Sequence, residues 1–187
     1  MIYIYVSMIG GEELPPRERA ERESRLAREL LFSAMESELS LPPAEILKEE
    51  GGKPYFATEG YPAFSIAHSA GLIAVALTRD FAKIGVDIEP CARLCNTRIS
   101  DRFFAGLEPC NGEIGQMRLV YDGATRPCGR EDMPAVRFTL GEAVIKCDGG
   151  GFAVAANAAA LSEKMKRASL IIKTDRGEAA LSVAVLD

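Results

Sequence analysis

Six consecutive residues carry the first chemical signal in the chain: Ile84-Gly85-Val86-Asp87-Ile88-Glu89. Strand side chains alternate between faces with a period of two, so Ile84, Val86 and Ile88 share one face while Gly85, Asp87 and Glu89 share the other. Two carboxylates side by side repel unless a cation lies near them, and a hard divalent ion such as Mg²⁺ is bound by oxygen ligands of this kind. Gly85, with no side chain, leaves room beside them for a bulky neighbour. The same alternation also describes a solvated edge strand, so the remaining elements must decide between chemistry and surface. The second candidate is Glu142 and Lys146, four residues apart on one face of a helix. The third is His68, the only histidine in the chain.

Composition narrows the field. With 187 residues, 48% hydrophobic and 26% charged, the chain has the make-up of a soluble globular protein with a substantial core. A formal charge of −5 provides no broad basic surface, which argues against nucleic acid and anionic membranes as partners. No apolar run approaches the ~20 residues that span a bilayer, and the start Met1 to Ile9 lacks a basic leader and reads as a strand. Five cysteines without a CxxC pair, with one histidine, do not suit a structural zinc site. Reduced thiols in a cytoplasm are the simplest account.

The elements that position the candidates follow from pattern. Pro15-Pro16 suits the opening of a helix in which Leu26, Leu30, Ala34 and Leu31, Met35 recur at helical spacing. Its polar side interleaves Arg17, Arg19, Arg22, Arg25 and Arg28 with glutamates, as on a solvated, self-paired face. A second short helix is predicted from Pro42-Pro43 through Ile46 and Leu47 to Gly51-Gly52. Three strands follow, at 64–68, 72–78 and 84–89, with connections short enough for an antiparallel meander. That arrangement puts His68 at the same sheet edge as Asp87 and Glu89, two strand spacings or roughly 10 Å away. A helix through Ile99, Phe103 and Leu107 is ended by Pro109, with Glu108 in its last turn. Residues 110–130 read as a mobile insertion with a hairpin turn at Asp122-Gly123. A further helix opens at Asp132 and Pro134, buries Val136, Leu140, Ala143, Val144 and Cys147, and ends at Gly149-Gly150-Gly151. The tail reads as a helical stretch at 162–167, a strand at 170–173, a turn at 175–177 and a strand containing Leu181, Val183 and Val185. The class is α+β, and helix-plus-meander followed by helix-plus-hairpin allows two loosely similar halves, 1–92 and 93–187, meeting near residues 90–98.

Taken in order, Gly52-Lys53-Pro54, Phe64-Ser65-Ile66-Ala67-His68-Ser69, Gly85-Val86-Asp87-Ile88-Glu89 and Glu142-Ala143-Val144-Ile145-Lys146 resemble the signatures of the 4′-phosphopantetheinyl transferases. Arg102-Phe103-Phe104 followed by Glu108 is also similar to the family pattern. The likeness is to the larger, surfactin-synthetase-activating branch, whose single chain folds as two α+β halves related by a pseudo-two-fold axis, each an antiparallel sheet on a long helix. The resemblance implies transfer of the 4′-phosphopantetheine arm of coenzyme A to a serine of an apo acyl or peptidyl carrier protein, releasing adenosine 3′,5′-bisphosphate, by a monomer. It implies that Asp87, Glu89 and Glu142 hold Mg²⁺, that Glu108 takes the serine proton, and that Lys146 stabilises phosphate charge. It further implies that His68 donates to a coenzyme A phosphate and that Lys53, with Arg25, holds the 3′-phosphate. The chain departs from the pattern at Phe138, where the family has tryptophan, and at Gly141, where it has lysine. Those departures leave open a member that binds coenzyme A or a carrier protein without transfer.

Overall fold

A computed structural model of the chain describes residues 1–10, 14–94, 104–108 and 114–187. It begins with strand β1 (Ile2–Met8) and helix α1 (Pro16–Leu39). No β-branched residue interrupts α1, and Pro16 sits in its first turn, where a missing N–H costs nothing. Ala27, Leu31, Ala34 and Met35 form the buried stripe. Ser40, in the left-handed region at φ 52°, ends the helix by donating its amide to the Glu36 carbonyl.

The next strands are β2 (Ile46–Lys48), β3 (Pro54–Phe56), β4 (Ala63–Ser69), β5 (Leu72–Thr78) and β6 (Lys83–Pro90). The second half of the chain contributes β7 (Met117–Val120), β8 (Thr125–Arg126), α2 (Met133–Asp148), α3 (Ala158–Ser162), β9 (Lys166–Thr174) and β10 (Gly177–Leu186). They build two four-stranded sheets, β4-β5-β1-β7 and β6-β10-β9-β8. Ile2, Ile4, Ala74 and Ala76 of the first sheet meet Val86, Ile88, Leu181 and Val183 of the second in one buried core. The outer face of the first sheet (Phe64, Ile73, Val75, Leu77) carries α1. The outer face of the second carries α2, through Val136 against Ile171 and Ala180 and through Leu140, Ala143 and Val144 beside Ala184. The result is an α+β molecule layered helix, sheet, sheet, helix. No helix among the described residues is long and apolar enough to cross a membrane.

Four expectations need correction. The short helix at 42–52 is a β-hairpin: Ile46 pairs with Phe56 and Lys48 with Pro54, and Gly52, at φ 85°, closes the turn. Two apolar residues in a row cannot distinguish the two periodicities. Strands β4, β5 and β6 are not a meander. β5 is already flanked by β4 and β1 along its whole length, so β6 joins the other sheet, antiparallel to β10. Asp122-Gly123 does not close a hairpin, because β7 pairs parallel with β1 and β8 antiparallel with β9. Residues 114–130 thus hand the chain from one sheet to the other and are built into both, not a mobile insertion. In the tail, the helix ends at Ser162 and β9 begins at Lys166. The predicted helix at 99–107 lies mostly outside the described residues.

The polar face expected for β6 lies under α2 rather than in solvent. A Cβ on Gly85 would strike the Ala143 carbonyl and the Cys147 amide, so this glycine is what lets helix backbone reach strand backbone. Two devices fix the helix there. At its start, Arg126 Nη1 and Nη2 donate to Asp132 at 2.6 and 2.9 Å, while Nε and Nη2 engage Glu178 of β10. At its end, Gly149 takes φ 95°, and Lys53 and Lys83 each donate to a final carbonyl, of Cys147 and Asp148, at 2.8 Å.

Gly141 has a second packing role. A Cβ there would overlap the ring of Phe104, which is fully buried and meets Phe138 edge-on with centroids 6.0 Å apart. Gly141→Ala gains ~1 kcal/mol of helix propensity, yet overpacking typically costs about 1–3 kcal/mol. Urea unfolding is expected to show a net loss for this variant, reduced in a Phe104→Leu background; an unshifted midpoint would remove the ring as the cause. The Arg126 hydrogen bonds hold the Asp132 carboxyl below the usual range. Its stabilising contribution is therefore complete above the ordinary value of about 3.9 and is lost as pH falls through the depressed one. Asp132→Asn should lower the urea midpoint at neutral pH, and the gap to the unaltered protein should close in acid.

Candidate functional site

β4 and β6 are the outermost strands of their respective sheets, and they lie side by side without forming a ladder. Side chains bridge them instead. The Val86 amide donates to Ser65 Oγ at 3.1 Å, and Ser69 Oγ donates to Glu89 Oε2 at 2.6 Å. Arg93, in the 3₁₀ turn after β6, donates to Ser69 Oγ at 2.7 Å and reaches Glu89 at 3.5 Å. The ends of β4 and β6 therefore meet directly, without β5 between them, and the contact is made by Ser69 and not by His68.

Asp87 points from this seam beneath α2. Lys146 Nζ donates to its Oδ1 at 2.7 Å and to the Val86 carbonyl at 3.2 Å. Lys146 of α2 is thus partnered by Asp87 on the strand beneath it, not along its own helix by Glu142. Oδ2 of Asp87 is buried and lacks a hydrogen-bond partner. Burial raises the Asp87 pKa, and the charge and hydrogen bond of Lys146 oppose that shift. Burial likewise raises Glu89, where the Ser69 hydrogen bond opposes it and the charge on Asp87 adds to it. Glu142, one turn before Lys146, is raised by burial and then by the charge on Asp87. The three carboxylates therefore share one electrostatic environment.

Beside them is a cavity of about 260 Å³ lined by Gly52, Lys53, Pro54, Ser65, Glu142 and Lys146. Burial lowers the Lys53 pKa, and its ammonium ties the Gly52-Lys53-Pro54 turn to the end of α2. His68 and Arg25 line a different, wider groove along α1. There His68 Nδ1 lies 3.0 Å from Glu23 Oε2, and Arg25 pairs with Glu29 at 3.0 Å. Lys53 and Arg25 thus line separate spaces. Glu108 accepts from Arg137 Nη2 at 2.8 Å and is largely exposed. Arg137 precedes Glu142 on α2 by five residues, about 7.5 Å along the axis. Arg102 and Phe103 lie outside the described residues.

Among the described residues, no three His, Cys, Asp or Glu side chains stand as a ready-made metal cage. Glu89 is turned to Ser69 and Arg93, and one oxygen of Asp87 to Lys146. The donor set nevertheless fits a hard cation: three mutually destabilising carboxylates, one with a buried oxygen that nothing satisfies. Ser69, Arg93 and Glu23 were not predicted as site residues. Glu23 carried a signal, since it sits on the same helical stripe as Ala27, Leu31 and Ala34 and is buried with them.

Removing one partner of a buried ion pair costs about 3–5 kcal/mol in full burial; Lys146 is 31% exposed, which places Lys146→Ala nearer 2 kcal/mol. Urea unfolding of the metal-free protein should show that loss, with most of it regained on adding Asp87→Asn. A Lys146→Ala midpoint equal to the unaltered protein's would show the pair to be uncoupled.

No family model matches the chain. Two curated relatives do: the 4′-phosphopantetheinyl transferase AcpT of Escherichia coli O157:H7 and that of strain K12. Each is 33% identical over 147 residues, which make up 78% of this chain and 70% of the relative. With the Asp87, Glu142 and Lys146 cluster beside the Gly52-Lys53-Pro54 turn, this likeness shows that the chain belongs to the 4′-phosphopantetheinyl transferase superfamily.

Proposed function

We propose that the protein transfers the 4′-phosphopantetheine arm of coenzyme A to a serine hydroxyl of an apo acyl or peptidyl carrier protein, releasing adenosine 3′,5′-bisphosphate. The observation that carries this reading is the meeting of Asp87 from β6 with Glu142 and Lys146 from α2 beside the Gly52-Lys53-Pro54 cavity. Family membership supports it. Asp87, Glu89 and Glu142 are the residues that would hold Mg²⁺, with the unsatisfied Oδ2 of Asp87 as the strongest indication. When bound, the ion supplies positive charge against the diphosphate.

The chain's own groups account for the remaining requirements. In the transfer, the serine Oγ–P bond forms as the bond from phosphorus to the bridging diphosphate oxygen breaks, so the departing bisphosphate gains negative charge. Lys146 stabilises that charge, a reading supported by its position on the cavity wall. The serine proton goes to Glu108, whose exposed carboxylate is oriented by Arg137 and can pass it to solvent. Lys53, and Arg25 in the neighbouring groove, bind the nucleotide phosphates, and His68 donates to one of them. One chain supplies both sides of the seam, which supports a monomer. We also assign it to the larger, two-halved branch and to the cytoplasm; the helix-sheet-sheet-helix layering, with one long helix per sheet, supports the branch. Gly141, where the resemblance would place lysine, is accounted for by the Phe104 ring and does not favour a non-catalytic member.

Incubation with apo carrier proteins, coenzyme A and Mg²⁺, followed by intact-mass measurement, should show a carrier gaining one phosphopantetheine. A chelator or Asp87→Asn, which keeps an oxygen acceptor for Lys146, should abolish the gain while circular dichroism stays native. No gain on any of a panel of carriers would overturn the proposal.

A further inference from the structure

Glu23 is a carboxylate buried on the apolar stripe of α1, 5% exposed, where an unpaired charge is costly. Both of its oxygens are committed: Oε1 accepts the Gly71 amide at 2.8 Å, and Oε2 lies 3.0 Å from His68 Nδ1. A carboxylate can only accept, so Nδ1 must carry the proton. The ring edge bearing Nε2 is left to the groove, which Arg25 and Arg28 also line. Arg28 has no ion-pair partner among the described residues. With Nδ1–H fixed on Glu23, a neutral ring offers the groove only an acceptor. The ring becomes a donor there only as imidazolium.

We propose that Glu23 is a positioning residue that fixes the His68 tautomer, so that His68 binds an anionic phosphate ester in the α1 groove only in its charged form. The proposal rests on the reading of His68 as a coenzyme A phosphate contact, and it adds a dependence on protonation. The other charged residues lining the groove are Arg17, Glu21, Arg25, Arg28 and Glu29 from α1, and the charges of His68 and Asp87 on β6 act on one another; β5 places only Ile73 opposite His68.

Glu23→Gln separates this role from a merely structural one. The glutamine keeps both contacts, but with its oxygen on the Gly71 amide it presents NH₂ to Nδ1, and the neutral ring must move its proton to Nε2. Because the chain has one histidine, long-range ¹H–¹⁵N correlation of the imidazole reads the tautomer without ambiguity. The expected spectra at high pH are Nδ1–H in the unaltered protein and Nε2–H in Glu23→Gln. Coenzyme A affinity of the unaltered protein should weaken by about tenfold or more as the ring loses its charge, because a charge-assisted hydrogen bond is lost and no neutral one replaces it. In Glu23→Gln, where the neutral ring already donates, that pH dependence should flatten. Nε2–H in the unaltered protein, which needs no variant to measure, would overturn the proposal, as would an unchanged pH profile in Glu23→Gln. If coenzyme A leaves the ring signals unmoved while the apo tautomer is Nδ1–H, it is the phosphate reading of the groove that fails, and the proposed ligand fails with it.

Discussion

The buried pair between Asp87 and Lys146 is the constraint on which the rest of the structure depends. A carboxylate beneath a helix loses several kcal/mol of hydration, and only a cation delivered to within hydrogen-bonding distance offsets that loss. Lys146 reaches it because α2 lies against β6 with no side chain between them, which Gly85 permits and any larger residue would prevent. Arg126 at one end of α2 and Lys53 and Lys83 at the other hold the helix at that separation. The Gly52-Lys53-Pro54 turn therefore has a structural role, since it caps the helix whose side chains line its cavity.

The site lies where two sheets expose their edges to one another. Exposed edges invite pairing with other chains; here β4 and β6 cover each other through serine hydroxyls rather than a ladder. A continuous ladder would fix the spacing of the strands, whereas here Glu89 is held by Ser69 and Arg93, and Asp87 by Lys146 of α2. The carboxylates are thus stored beside Ser69, Arg93 and Lys146 in an arrangement that compensates their charge without satisfying every oxygen.

Much of this was legible in the residues. The period-two alternation of Ile84 to Glu89 identified β6 and its carboxylates, and the spacing of Val136, Leu140, Ala143 and Cys147 identified the buried face of α2. Partner choice was not legible, because which sheet β6 joins depends on β5 having both edges filled, a non-local fact. The hairpin at 46–56 was hidden because Ile46-Leu47 fits either period. Gly141 read as a defect until Phe104, distant in sequence, showed what occupies the space. Glu23 disappeared into a run of alternating charges, although its position on the apolar stripe set it apart.

Membership of the phosphopantetheinyl transferase superfamily and the geometry of the seam converge on one centre joining β6 to α2. Its most direct test is the anomalous difference map of crystals grown with coenzyme A and Mn²⁺ as the probe metal. The account predicts a manganese peak in direct contact with Asp87 and Glu142, with Lys146 released from Asp87 toward a phosphate. A map with coenzyme A bound, the Asp87–Lys146 pair intact and the metal elsewhere would contradict it.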